Sequence, residues 1–441
     1  MSAVTLEKAI LPPEQIKALR RRIMWRIMPF SMLCYFMAQL DRANISYAAL
    51  QMKDELQFSD AVYGLGAGIF YIGYFLLEIP GAMIAERYSA RLWILRIMTT
   101  WGLISAAMCF VQTPGQFYTL RFLLGLAEAG FFPAMMVVLR RWFVEQDRAK
   151  AIAIFMGALT VASILGSPLS AWMLTLDWLG WSGWRWMFVL QGLPSVLVGI
   201  LCIWLLPDHP SQVRWLSSLE ADYLKKATQT TTPLSHVGWK ETFALLADSR
   251  IALLSLTYFF MQNSVTGYNT WMPLLIKQLG ELSPTQAALW AIVPPTLGFA
   301  SKLAAGWSSD RFEERYWHTT GLLLAGTSFI CLSAWLVVAG YPLGALAMLF
   351  LGATGCLGAP PCFWAYATHS GAGIAIAVSI GTINMIGSLG SAVGPYAFGY
   401  LKEHFGEPFY SLILLGAMQL GAAASLAWIE HSNQKKIGTQ T

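Results

Sequence analysis

Hydrophobic runs of about 20 residues, broken by Gly, Pro and clustered charge, recur along nearly the whole chain, each long enough as a helix to cross a hydrocarbon core about 30 Å thick. Twelve such spans are predicted. The first six lie near 27–50, 62–83, 92–111, 116–139, 148–174 and 184–206, and the second six near 251–275, 284–305, 319–340, 343–366, 373–399 and 408–429. The runs are continuous and rich in Leu, Ala, Ile and Met, which argues against a closed barrel of short alternating strands. Residues 207–250 form the one long polar stretch, with Pro207, Asp208, Pro210, Lys225, Lys226 and a threonine-rich run from Thr228 to Thr232. The expected layout is an N-terminal cytoplasmic segment at 1–26, a six-helix bundle at 27–206, a cytoplasmic linker at 207–250, a second six-helix bundle at 251–430 and a cytoplasmic tail at 431–441.

Composition agrees with this all-α membrane class. The chain is 56% hydrophobic, its mean hydropathy is +0.53, and its 12% charged residues are about half the share usual in soluble domains. Charge also orients it. With both termini inside, the outside loops hold only Lys53, Arg185, Lys277 and Lys402; Arg42, Arg96, Arg121 and Lys302 lie within spans; the rest of the 29 Lys and Arg fall inside, as the positive-inside rule requires. The first 25 or so residues are mostly polar, with Lys17, Arg20, Arg21, Arg22 and Arg26, so no cleaved signal peptide is expected. Cys34, Cys109, Cys202, Cys331, Cys356 and Cys362 all fall inside apolar runs and read as buried apolar residues.

A weak internal repeat relates the two halves. The second run of each set ends in an acid followed by an arginine, Glu86 Arg87 and Asp310 Arg311. In the second half the stretch from Gly306 to Arg311 resembles the G-x-x-x-D-R loop motif of the major facilitator superfamily, two six-helix bundles that rock about a central site. The first copy is degraded, with Ala82 and Ser89 at glycine positions and Arg91 retained. The plainer reading of both copies is cytoplasmic charge beside a helix end.

Four charges lie where lipid should be. Asp41 stands about 22 Å along a helix from Arg26, past the membrane centre, and Arg42 follows it. Each costs at least about 2.5 kcal/mol at such depth, so a cavity or a partner is implied unless the helix ends early and both sit in the outer interface. In the fourth span, Arg121 and Glu128 are seven residues apart and project from one helical face, with Gly125 between them and Ala129 and Gly130 beyond. They line a cavity wall or neutralise each other as a structural pair. If all four converge, the arginine forks suit a carboxylate and the acids offer protonation sites, so anion binding and proton coupling follow together.

With these residues in view, the chain resembles the anion:cation symporter family of the major facilitator superfamily, including bacterial permeases for tartrate, phthalate, aldonates and hydroxyphenylacetate. The resemblance runs over nearly the whole chain and rests on the stretches from Leu40 to Ser46, Glu78 to Pro80 and Arg121 to Pro133, on Pro168 Leu169 Ser170, Gly192 Leu193 Pro194, Leu206 Pro207 Asp208 and Ser309 Asp310 Arg311, and on Phe363 Trp364 Ala365 and Gly394 Pro395 Tyr396. It implies that Asp41 and Glu128 carry the proton and that Arg42 and Arg121 coordinate the anion. It also implies substrate contact at Tyr74, Trp364 and Asn384. The sequence departs from the family at Gln191, where a glutamate is common, and at Pro360 Pro361 Cys362, which bear on substrate identity.

Glu78, Arg96 and Lys302 read as structural residues near the inner interface. Gly387, Gly390 and Gly394 with Pro395 suggest a close-packing, bendable eleventh span. The six histidines lack ligand spacing, so no metal is expected, and neither is another cofactor. The expectation is a monomeric secondary transporter in a bacterial inner membrane. It takes up a small hydroxylated or aromatic carboxylate with protons, or else exchanges or exports such anions, and has no nucleic-acid partner. No nucleophile triad, phosphate loop or soluble domain points to an enzyme or a sensor.

Overall fold

The computed structural model describes residues 11–228, 248–368 and 374–438, with backbone alone at 79, 82, 374–378 and 433–438. Lys8, the threonine-rich run past Thr228, His236, Lys240 and His369 lie outside the described residues. Helix accounts for nearly all of the rest. In chain order, α1 spans Pro13–Leu56, α2 Asp60–Arg87, α3 Ala90–Ala107, α4 Pro114–Glu128, α5 Phe131–Trp142, α6 Glu145–Met173, α7 Gly183–Leu205 and α8 Ser218–Thr228. Then come α9 Ser249–Leu279, α10 Pro284–Trp290, α11 Val293–Arg311, α12 Tyr316–Val338, α13 Pro342–Thr368, α14 Ile374–Phe405 and α15 Phe409–Gly438.

The helix starts follow from local chemistry. Ser59 accepts the Val62 N–H before α2 and Ser89 the Leu92 N–H before α3, while Thr113 with Gln116, and Ser283 with Gln286, form capping boxes ahead of prolines at α4 and α10. Among the described residues, nine helical stretches are long and apolar enough to cross a membrane. Three further helices, α1, α9 and α14, have the length, at 44, 31 and 32 residues; α1 carries Asp41, Arg42 and Asn44 and α9 carries Gln262, Asn263 and Thr266 within the run, while α14 begins at the edge of the described residues.

Packing places those three helices. α1 packs on α6 and α7, α3 on α7 and α2 on α4, while in the second half α9 packs on α14 and α15, α12 on α13 and α15, and α11 on α13. The halves then meet along a seam of α2 with α14, α1 with α9, and α6 with α10 and α11. So α1, α9 and α14 all lie in the seam, beside α2, α6, α10 and α11. The approach of α2 to α14 is close enough to require glycine: a Cβ on Gly64 would lie 2.4 Å from the Pro395 carbonyl oxygen, and one on Gly68 2.2 Å from that of Ala392.

Three departures from the sequence reading have physical causes. First, α1 begins well before residue 27, because Leu19 and Ile23 are buried in one apolar cluster with Trp142, Phe143 and Leu224. That cluster also makes the start of the expected linker a packed element, α8. Second, the fourth span breaks at Ala129 and Gly130, where Gly130 takes a φ of +84° that few residues adopt, so α4 ends at Glu128 and α5 starts anew. Third, the eighth span divides into α10 and α11 at Ala291 and Ile292.

Ion pairs gather at both ends of the bundle. On the end rich in arginine, Arg20 holds Asp147 at 2.5 Å, Glu86 accepts from Arg140 at 2.5 Å, and Asp208 accepts from the Ser89 hydroxyl at 2.5 Å and the Arg91 N–H at 3.0 Å. The repeated motif is not repeated in its contacts. Glu86 reaches α5, whereas Asp310 pairs with Arg315 of its own loop at 2.7 Å; Arg87 and Arg311 lie over Tyr88 and Trp307, and Gly306 faces open space. At the opposite end the pairs cross the seam. Lys53 and Lys402 share Asp60, Lys277 holds Asp54 at 2.8 Å, and the Glu403 carboxylate accepts the Ala61 N–H at 2.6 Å.

Candidate functional site

The charges of α1 and α4 meet inside the first half, but not in the pairing their spacing suggests. Glu128, the last residue of α4, accepts a short hydrogen bond from Arg42 Nε. Arg121 lies two turns further back. Its Nε donates to the Gly66 carbonyl at 3.1 Å, its guanidinium lies 4.8 Å from the Phe70 ring centre, and its Nη1 is buried with no hydrogen-bond partner among the described residues. Asp41, adjacent to Arg42 in sequence, turns about 100° away from it around α1. Its carboxylate accepts from the Ser105 hydroxyl of α3 and, at 2.8 Å, from Asn44 Nδ2.

Exposure separates these groups. Asp41, Arg121 and Glu128 are each 2% exposed, whereas the Arg42 side chain keeps 27% of its surface. Arg42 is therefore the part of the cluster that can be reached from the seam. It lies 5.0 Å from the Tyr74 ring centre, a cation–π contact with α2. The closeness of α4 to α2 makes this possible, since a Cβ on Gly125 would stand 2.0 Å from the Phe70 carbonyl oxygen. The chemical capacity follows from the geometry. Neutralising Glu128 with a proton leaves the Arg42 fork without its counterion and facing the seam, ready for another carboxylate.

Across the seam the partners are neutral. Trp364 packs edge-on against Tyr258 at 4.9 Å, and Tyr258 stacks on Phe363 at 5.4 Å. Thr266 donates to Ser391 at 3.0 Å, with Gln262 at 3.5 Å from the same hydroxyl. Asn384 meets neither arginine; its Nδ2 donates to Glu78 of α2 at 3.0 Å. Glu78 is therefore a seam residue, in contact with the opposite half. Its signal was readable, for Glu78 falls one turn after Tyr74 on the same face. Asn44, three residues after Asp41, was readable in the same way. Ser105 gave none, being a lone hydroxyl in an apolar run.

Two helical bundles closed on a seam, with paired charge beneath it, make the build of a membrane carrier. The family model of the Major Facilitator Superfamily matches residues 31–395, and the chain belongs to that family. It is 37% identical to a protein of Agrobacterium vitis named as a tartrate transporter, over 422 residues that cover 96% of this chain and 93% of the relative. It is 35% identical over 424 residues to the quinolone resistance transporter of Acinetobacter baumannii, covering 96% of each. Among solved structures, a D-xylose–proton symporter shares its fold at a TM-score of 0.70 and 18% identity, covering 91% of this chain and 97% of the other. The protein is thus a multi-pass membrane transporter and not an enzyme.

Proposed function

We propose that this transporter carries a small organic carboxylate, hydroxylated or aromatic, into the cell together with protons, in a bacterial inner membrane, as a monomer and without a cofactor. One observation carries the reading: a seam-facing arginine, Arg42, held by a buried acid, Glu128. A membrane interior tolerates such a pair because it is neutral, and it stays neutral when a proton takes Glu128 and a substrate carboxylate takes Arg42. Arg121 adds positive potential behind the site, Asp41 is a second proton acceptor, and Tyr74, Trp364 and Asn384 shape the space around the anion. The name of the Agrobacterium vitis relative supports a carboxylate as cargo. On this reading the chain has twelve spans, with α4 and α5 together making the fourth and α10 and α11 the eighth. The arginine-rich end faces the cytoplasm with both termini, and the charges at Glu86, Arg87, Arg91, Asp310 and Arg311 next to Gly306 serve the movement between states.

The test is uptake in proteoliposomes given tartrate, gluconate, phthalate and 4-hydroxyphenylacetate in turn. Adding the transported anion should alkalinise the outside, and Arg42→Ala should abolish both binding and uptake. Unchanged affinity in that variant would overturn the anion reading. The resistance transporter among the relatives favours a second reading, export or exchange of the same class of anion. Acidification of the outside, or no proton movement during anion flux, would decide for it.

A further inference from the structure

Resting on the carboxylate reading, we propose that Glu78 and Asn384 read the far end of the substrate, and that Glu78 takes up one additional proton when that end is a second carboxylate instead of a hydroxyl. The pair sits in the right place. Glu78 follows Tyr74 by four residues, about 6 Å along α2, so the distance from the Arg42 site to the Glu78 site is that of a short carbon chain. It is also incomplete. Among the described residues the Glu78 carboxylate accepts one hydrogen bond, from Asn384 of the opposite half, and both side chains keep some exposure in the seam.

The groups facing Glu78 are few. Arg42 of α1 lies within electrostatic reach and Tyr258 of α9 senses its charge, Tyr74 is on its own helix, and α14 contributes the neutral Asn384. From α4, Glu128 is taken by Arg42, and Arg121 is turned to Gly66 and Phe70; from α3, Arg96 donates to the Ala127 carbonyl. From α5, Arg140 is taken by Glu86. With Asp41, which is held by Ser105 and Asn44, the cluster and the seam together hold three acids, Asp41, Glu78 and Glu128, against two arginines, Arg42 and Arg121.

A substrate whose far end is a hydroxyl suits this pair as it stands, since the hydroxyl donates to the Glu78 carboxylate and accepts from the Asn384 amide. A second carboxylate cannot donate, and it meets a like charge at contact distance. Binding it requires a proton on Glu78, taken from the side the anion comes from and released with it. The protonated carboxyl then donates to the anion, and the charges balance. The same seam would accept monoanions and dianions, each at its own proton cost.

Binding of gluconate and tartrate to the purified transporter in detergent, measured between about pH 6 and pH 8 where both anions are fully ionised, tests this. In the wild type, tartrate affinity should gain one more factor of ten per pH unit of acidification than gluconate affinity does. In Glu78→Gln the two slopes should coincide, with tartrate affinity at the upper pH raised at least tenfold relative to gluconate. Asn384→Asp, which adds an acid at the same place, should lower tartrate affinity at the upper pH at least tenfold while gluconate changes less. Equal slopes in the wild type, or a slope difference that survives in Glu78→Gln, would overturn the assignment of Glu78. Binding of none of gluconate, tartrate, phthalate and 4-hydroxyphenylacetate would instead overturn the carboxylate reading itself.

Discussion

Replacing Glu128 with glutamine keeps the side chain's shape and removes its charge, so Arg42 loses its ion partner while the end of α4 is undisturbed. On the proposed function, an anion that takes Arg42 in the wild type must displace Glu128, and a proton that neutralises Glu128 releases Arg42. Breaking a buried pair costs about 3–5 kcal/mol. The incoming carboxylate regains much of that through charge-assisted hydrogen bonds of about 1.5–3 kcal/mol each. The remaining coupling of about 1–3 kcal/mol corresponds to about 5–150-fold in affinity. Gluconate affinity in the wild type should therefore rise as pH falls, by up to about tenfold per unit while one proton is linked, and then level off. In Glu128→Gln it should begin near that upper level and stay nearly flat. Calorimetric titration in detergent measures the slopes, and proteoliposomes supply a second readout: the variant should still exchange labelled for unlabelled anion but fail to accumulate it down a pH gradient. A variant that keeps the wild-type slope and the wild-type accumulation would refute the link between this pair and the proton.

Two further outcomes follow from packing and capping. Gly125→Ala sets a Cβ against the Phe70 carbonyl oxygen and must push α4 from α2, which separates Arg121 from Phe70; a cost of about 1–3 kcal/mol or more is expected as a drop in melting temperature with loss of uptake, whereas Gly115→Ala, with nothing within 4 Å, should leave both unchanged. A wild-type melting temperature for Gly125→Ala would show that the close contact is dispensable. Outside the membrane, burial pushes the Glu314 carboxyl up, but the N–H groups of Trp317 and His318 and the His318 ring outweigh it and hold the carboxyl below its ordinary value of 4.5. Because the folded value is the lower one, the stabilisation is present above the unfolded value and lost as pH falls through the folded one. Glu314→Gln should thus lower stability by about 0.5–1 kcal/mol at neutral pH, with the gap in thermal unfolding closing as pH falls below the ordinary carboxylate range.

The helices and the charge cluster were legible in the sequence because lipid leaves few options. A polar backbone in hydrocarbon must be helical, and a charge at that depth must have a partner or water, so runs and exceptions both stand out. Which charge meets which was not legible. Arg121 and Glu128 share a helical face, yet the structure gives Glu128 to Arg42, because α2 comes so close to α4 that the Gly66 carbonyl and the Phe70 ring take Arg121 first. The break at Gly130 was hidden for a related reason. A glycine among apolar residues reads equally as tight packing or as a turn, and only the neighbouring helix decides. Asn384 shows the limit in the other direction. Its need for a partner was plain, but that the partner is an acid from the opposite half depends on register between α2 and α14, which no local pattern encodes.

The crossed pairing bears on how the proposed coupling would be enforced. Counted apart from Glu78, which sits in the seam with Asn384, the residues Asp41, Arg42, Arg121 and Glu128 sum to zero charge when the carrier is empty and Asp41 and Glu128 are unprotonated. An anion alone makes the core negative by one, a proton alone makes it positive by one, and both together restore zero. Each half-loaded state therefore leaves a net charge at membrane depth, which costs at least about 2.5 kcal/mol, or about 70-fold in population. No dedicated gate is needed to keep proton and anion together. The penalty acts only if the charge is kept from water, and three of the four groups are 2% exposed while Arg42 alone is open to the seam. A mutation that wets the core without adding or removing a charge, such as Ser105→Gly, which opens space for water beside Asp41, should on this reasoning uncouple the carrier into a leak while leaving anion binding at Arg42 in place.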